Sequence, residues 1–306
     1  MELEQVANAI KSMEIRGAGK IARSAAEAMK QWALSYSGNE VRDLIERLQE
    51  GERILIASRP TAVSLENAVH ASLRGVDHES NVKDIQDLVA SNADAFIRRS
   101  SNAVQVIGEI GARRIKTGQK VMTHCNSSAA LSVIKTAHFQ GKKIEVIATE
   151  SRPWRQGLLT VRDLAAAEVP VTLIVDSAVR WAMKDVDVVV VGADTICSNG
   201  AVINKIGTSQ VALAAHEANV PFIICAETYK FSPRTVYGEL VEIEERDPSE
   251  IAKAEELPQG VKIRNPVFDA TPPEYVDSIV TDVGVISPYA AYEVIVKEFG
   301  LEHLFE

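Results

Sequence analysis

The sequence predicts an α/β protein in two parts: a helical domain over residues 1–115 and a parallel-sheet domain over residues 116–306. Three observations predict it. Residues 1–115 hold few β-branched runs and many Ala, Glu, Leu, Ile and Arg, a composition that favours helix. From about residue 118, short β-branched runs alternate with helical patterns, the cadence of βαβ units with right-handed crossovers. Finally, Val186 to Val191 is a valine run broken only by Asp187, the pattern of a central strand covered on both faces.

In the first part, Val6, Ile10 and Met13 recur at helical spacing, and Arg16-Gly17-Ala18-Gly19 ends that helix. Ile21, Ala22, Ala25 and Ala28 start a second helix with a small-residue face. A third, about Asn39–Gln49, is expected to lead through Gly51 to Ile54-Leu55-Ile56. Ser58-Arg59-Pro60-Thr61 is expected to open a fourth, because the first turn does not need the N–H that proline lacks. Val82, Ile85, Leu88 and Val89 mark another, Val104 to Ile110 begins the next segment, and the basic stretch Arg113–Lys120 ends it at the domain boundary.

In the second part, strands are predicted at Lys120–Thr123, Ile144–Ala148, Val171–Val175, Val186–Val191 and Phe222–Cys225. Helices are predicted at Ala129–Phe139, Leu158–Ala167, Val179–Met183 and Val202–Ala218. Beyond them, Val241–Ile243 reads as an edge strand and 244–260 as charged and exposed chain. Asn265–Asp269 with Thr271-Pro272-Pro273 reads as an extended bend, Ile279–Asp282 as a strand or turn, and Tyr289–Glu298 as a closing helix.

A formal charge of -9 argues against a broad basic face for nucleic acid, whereas a sugar-phosphate pocket needs only a few local cations. Cys125, Cys197 and Cys225 form no CxxC pair, so neither a disulfide framework nor a zinc knuckle is expected, and the compartment is expected to be reducing. An acidic start and the lack of an apolar run of membrane length lead us to expect a soluble cytoplasmic chain without a membrane partner. No GxGxxG follows the first strand, so no dinucleotide cofactor is expected, and no metal.

The candidate reactive groups lie at strand ends, where open α/β sheets bind ligands. Asp194 follows the valine strand; by itself it is either a reactive carboxylate or a turn cap. Asn204 and Lys205 are expected at the start of the following helix, facing either a ligand or solvent. Cys125 follows the first strand and precedes a helix that Asn126, Ser127 or Ser128 could cap; a helix N-terminus can lower a cysteine pKa from about 8.5. The alternative is a small buried hydrophobe. His124 faces the opposite way on a strand, which disfavours a Cys-His dyad and leaves it a structural or rim residue. Arg152 and Arg155 sit on the loop after the second strand, Asp176 after the third. In the helical part, Arg16, Gly17, Ala18 and Gly19 at a helix start and Arg59 at another form candidate anion sites, or an ordinary turn and a surface arginine.

The segments RGAG (16–19), RPTAV (59–63), THCNSS (123–128), ESRPWRQG (150–157), VGADTICSNGAVINKIGT (191–208) and NPVFDATPPEYVDSIVTDVG (265–284) together carry a resemblance. They resemble the superfamily of translation initiation factor 2B alpha, beta and delta subunits, methylthioribose-1-phosphate isomerase and archaeal ribose-1,5-bisphosphate isomerase. The resemblance spans nearly the whole chain. It implies a Rossmann-like second domain. The isomerase branches carry a cysteine after the first strand and an aspartate in the GAD motif, matched here by Cys125 and Asp194. HCNSS and ESRPWRQG look most like the bisphosphate branch, and RGAGKI departs from the RGAPAI-like loop of the methylthioribose branch.

The resemblance implies conversion of ribose 1,5-bisphosphate to ribulose 1,5-bisphosphate in AMP salvage; the alternatives are methylthioribose-1-phosphate isomerisation or a non-catalytic regulatory subunit. Asp194 would protonate the ring oxygen and Cys125 would take the C2 proton, through an enediol-type intermediate. Arg16, the RGAG backbone, Arg59, Arg152, Arg155 and Lys205 would hold the phosphates, and Asn204 a hydroxyl. A dimer-based homo-oligomer, a hexamer, is also implied.

Overall fold

The structure, a computed structural model, describes residues 2–301. The chain divides between Ala103 and Val104 into two compact units. The first holds α1 (Leu3–Lys11), α2 (Ala18–Leu34), α3 (Val41–Ser58), α4 (Val63–Leu73) and the start of α5 (Val82–Ala112). Leu3, Ile10, Ile21, Met29, Leu44, Leu55, Leu65 and Ile85 are almost wholly buried and form its core.

Three expectations are corrected here. Gly51 lies inside α3, where a Cβ would come within 2.8 Å of the Trp32 indole; close packing, not chain termination, calls for the glycine. Pro60 does not open a helix: it occupies a turn closed by Ala62 N–H donating to Arg59 O at 3.0 Å, and α4 starts only at Val63. Proline's fixed φ suits the second position of such a turn as well as a helix start. Finally, α5 runs unbroken for 31 residues, because its polar middle contains neither glycine nor proline.

The second unit holds strands β1 (Lys120–Thr123), β2 (Glu145–Thr149), β3 (Val171–Ile174), β4 (Val188–Gly192), β5 (Thr195–Ile196), β6 (Val202–Lys205), β7 (Phe222–Cys225), β8 (Phe268–Thr271), β9 (Ser278–Thr281) and β10 (Gly284–Ile286). Its helices are α6 (Ser128–Phe139), α7 (Gly157–Ala166), α8 (Val179–Ala182), α9 (Thr208–Ala218) and α10 (Ala291–Phe299). The main sheet has the order β10-β9-β7-β4-β1-β2-β3, parallel except for β10.

β4 is buried on both faces, as its valines predict. Val189 and Val191 pack with α8, α9 and α10, and Val188 and Val190 with α6, α7 and Ile107 of α5. Each valine so buried contributes roughly 1.5 kcal/mol or more. The order of the strands has a consequence for binding. β1 to β3 are laid down in one direction, then the chain returns to place β4 on the other side of β1. The crevice at the carboxyl ends of β1 and β4 is therefore a topological switch point, the place where open α/β sheets bind ligands.

The chain after β4 departs from expectation. Residues 202–205 are not the start of a helix but strand β6, which pairs antiparallel with β5 and β8 in a second, three-stranded sheet. Val202 and Ile203 are β-branched, and Gly207 in the left-handed conformation (φ 99°) separates strand from helix. The extended bend at Asn265–Thr271 supplies β8. Val241–Ile243 forms no strand; the ladder position beside β6 is filled by β8. No helix among the described residues is long and apolar enough to cross a membrane.

Candidate active site

Cys125 stands just past β1 and Asp194 just past β4, on neighbouring parallel strands. The site is built from these two ends. Cys125 adopts a left-handed backbone (φ 66°), an uncommon state for a residue with a Cβ. Hydroxyls hold it on both sides: its N–H donates to Ser151 Oγ at 2.8 Å, and Thr160 Oγ1 donates to its carbonyl at 2.7 Å. Ser127 caps α6 by accepting from Ala130 N–H at 3.4 Å.

The expectation of a lowered thiol pKa is overturned. Burial pushes Cys125 up to about 11; the Lys205 ammonium and a backbone hydrogen bond from Asn126 act against this, while Asp194 and Asp176 reinforce it. Desolvation of the thiolate outweighs the Lys205 charge and the Asn126 N–H. In the free protein, alkylation of Cys125 by iodoacetamide is therefore expected to rise about tenfold per pH unit from pH 7 to 10. A plateau near pH 8.5, followed at Cys125 by mass spectrometry, would contradict this.

Asp194 is half-buried, and its N–H donates to Ile203 O at 2.9 Å, tying the end of β4 to β6. Lys205, on β6, is 7% exposed, with Nζ 5.0 Å from the Phe268 ring centre. Burial lowers its pKa, opposed by Cys125 and then Asp194. The three groups thus act on one another electrostatically. Asn204 is also buried, and its amide already donates to Thr208 Oγ1 at 3.0 Å. Its carbonyl oxygen and second N–H remain for other partners.

The loop after β2 is held by Asp176, whose carboxylate accepts from Ser151 N–H at 2.7 Å and Arg152 N–H at 2.8 Å. Gly157 is required where the loop enters α7, since a Cβ there would lie 1.8 Å from Thr149 O. Arg152 and Arg155 are exposed. Arg155 is engaged with Glu150 at 2.5 Å, and Arg152 donates to Ile251 O at 3.4 Å. The structure therefore brings Cys125, Asp194 and Lys205 within electrostatic reach of one another, sets the Asn204 side chain against Thr208, and leaves the two arginines on an adjoining loop. In the first unit, Gly17 (φ 88°) precedes α2, and Ser64 Oγ of α4 donates to Ala18 O at 3.3 Å. That bond brings the RGAG turn to the segment that follows Arg59.

Several residues escaped sequence reasoning. Glu227 and Lys230 follow β7 as a buried ion pair, Nζ to Oε2 2.6 Å, with Tyr229 donating to Glu227 Oε1 at 3.0 Å. The strand-end rule that singled out Asp194 applies equally to Glu227 after PFIIC. Asp269 accepts from Gly207 N–H at 2.7 Å and Ser209 N–H at 3.2 Å at the start of α9; burial pushes its carboxyl up to about 6 against these bonds. Arg246 lies in the stretch read as exposed, yet its side chain is 13% exposed and its guanidinium is 5.0 Å from the Trp154 ring centre.

A helical unit followed by a parallel sheet, with cysteine and aspartate at its switch point, defines the class. Residues 14–288 match the Initiation factor 2 subunit family, and the chain belongs to that family. Within it, the chain is 53% identical to the ribose 1,5-bisphosphate isomerase of Methanocaldococcus jannaschii, covering 95% of this chain and 93% of that protein. It is 55% identical to the ribose 1,5-bisphosphate isomerase of Archaeoglobus fulgidus, covering 98% and 94%. Among solved structures it is similar to the translation initiation factor eIF-2B of Pyrococcus horikoshii OT3, with a TM-score of 0.79 and 33% identity over 94% of this chain and 97% of that one.

Proposed function

We propose that the chain is an aldose-ketose isomerase that converts ribose 1,5-bisphosphate to ribulose 1,5-bisphosphate. The observation that carries this reading is the placement of Cys125 and Asp194 past adjacent strands at the switch point, in a chain 53% and 55% identical to two isomerases of that name.

Phosphate on the C1 oxygen blocks spontaneous ring opening, so the ring oxygen needs a proton. Asp194 donates it, and the bond from C1 to the ring oxygen breaks. Cys125, as thiolate after its own proton has left to solvent, takes the C2 proton, leaving an enol whose C1 oxygen still carries phosphate. The Cys125 thiol returns a proton to C1 and the C2 hydroxyl proton passes to the Asp194 carboxylate, which gives the ketone and restores both groups. Because burial holds Cys125 as a thiol, the Lys205 ammonium, which favours the thiolate, belongs to this step as well as to phosphate binding.

Arg152 and Arg155 are proposed as further phosphate contacts, the latter after release from Glu150. The RGAG turn with Arg59 is proposed as a phosphate-binding element of the first unit, and Asn204 as a partner for a sugar hydroxyl. We further propose a role in AMP salvage in the cytoplasm and a homo-oligomer built from dimers, with a hexamer as the expected form.

Incubation with ribose 1,5-bisphosphate, with product identified by NMR, tests the reading. Ribulose 1,5-bisphosphate is the expected product. Turnover of methylthioribose 1-phosphate alone would replace the substrate, and turnover of neither, in a folded protein, would favour a regulatory subunit. Light scattering tests the hexamer.

A further inference from the structure

Between Cys125 and the β6 strand runs a continuous line of hydrogen bonds that the isomerisation steps do not use. Cys125 N–H donates to Ser151 Oγ at 2.8 Å, Ser151 Oγ lies 3.3 Å from Thr149 Oγ1, and Thr149 Oγ1 lies 2.6 Å from His124 Nδ1. His124 Nε2 lies 2.9 Å from the carbonyl oxygen of Ile206, the residue after Lys205. Thr149, Ser151 and His124 are all buried.

The chemistry of the last contact fixes the direction of the line. A carbonyl only accepts, so His124 Nε2 carries the proton and donates. In the neutral ring Nδ1 is then an acceptor, and Thr149 donates to it. The Ser151 oxygen accepts from Cys125, and the Ser151 hydroxyl donates to the Thr149 oxygen at 3.3 Å, with His124 Nδ1 at 3.5 Å as its second acceptor. Every member is satisfied, which is the condition under which a buried polar network rigidifies its surroundings. Burial favours the neutral ring, with Lys205 acting the same way and the Ile206 carbonyl and Asp176 acting against it.

Two further features bind the ends of the line. Gly207 is left-handed, and a Cβ there would lie 3.0 Å from His124 Cε1, so the imidazole is seated directly against the turn that follows Lys205. At the other end, Asp176 fixes the Ser151 backbone and Thr160 fixes the Cys125 carbonyl.

We propose that Thr149 and His124 are positioning residues that hold the Cys125 backbone at a fixed separation from Lys205. The inference rests on the isomerase reading for its kinetic consequence, but not for its geometric one. His124 does not touch the reacting carbons; it acts through the hydroxyls on one side and the Ile206 carbonyl on the other. An error of about 1 Å in the placement of a reacting group can cost on the order of a hundredfold in rate.

The test uses Thr149→Val, which keeps the shape and removes the hydroxyl, and Thr149→Ser, which restores it. With ribose 1,5-bisphosphate, Thr149→Val is expected to lower kcat about 30-fold with KM changed by less than about threefold, and Thr149→Ser to lie within about threefold of the parent. Cys125 alkylation at pH 9 gives the second readout. Lys205→Met is expected to slow it severalfold in the parent but by less than half that factor in Thr149→Val, because the charge no longer sits at a fixed distance.

Unchanged kcat and unchanged coupling in folded Thr149→Val would overturn the proposal, as would failure of Thr149→Ser to recover. A role in stability alone would lower Tm and leave both readouts in place. If Thr149→Val does not fold, Ser151→Ala cuts the same line at its other end and is judged by the same outcomes. If the parent turns over no ribose 1,5-bisphosphate, the isomerase reading fails, and the alkylation cycle alone decides the relay.

Discussion

Cys125→Ser is expected to lower the turnover of ribose 1,5-bisphosphate about a thousandfold while leaving the fold intact, and Asp194→Asn to have an effect of similar size. The argument is one of proton affinity and position. A serine hydroxyl at Cys125 would retain the backbone bonds to Ser151 and Thr160, because those involve only the peptide. It could not, however, be ionised by the nearby Lys205 ammonium, which acts on a thiol already pushed up to about 11. Asparagine at Asp194 keeps the backbone link to Ile203 O but has no acidic proton to give the ring oxygen. The check is steady-state conversion by each purified variant, alongside circular dichroism. Parental turnover in either folded variant would remove that residue from the chemistry.

The strand ends were legible in the sequence because a parallel strand buried on both faces must be apolar, and its end is then marked by the first polar residue. That rule located Cys125 and Asp194. It placed Lys205 in the site but on the wrong element, because VINK followed by an alanine-rich run reads as the first turn of a helix. What makes it a strand is pairing with Phe268–Thr271, more than 60 residues away, and such long-range pairing leaves no local pattern. The thiol pKa misled for a related reason. Helix-terminus effects can be read from sequence spacing, whereas burial depends on what the remaining loops cover. Gly51 shows the same limit: its cause is Trp32, on another helix.

The largest effect on stability is expected from Glu227→Gln, which should cost about 3–5 kcal/mol because it leaves the Lys230 ammonium buried beside an uncharged partner. Glu227 is 2% exposed and Lys230 6%, so water cannot compensate. Burial alone would raise the Glu227 carboxyl and lower the Lys230 ammonium. Their mutual attraction and hydrogen bond win on both sides, holding Glu227 below its ordinary 4.5 and Lys230 above its ordinary 10.5. The pH window follows with opposite signs. The depressed carboxyl contributes stability above 4.5 that is lost as pH falls, and the raised ammonium contributes stability below 10.5 that is lost as pH rises. Urea denaturation at pH 7 measures the loss. Glu227→Leu combined with Lys230→Met should recover much of it, because removing both charges leaves nothing unpaired. If the double variant were as unstable as the single one, packing rather than charge would account for the pair. Asp194 also helps to hold Lys230 charged, which places the ion pair within electrostatic reach of that carboxylate.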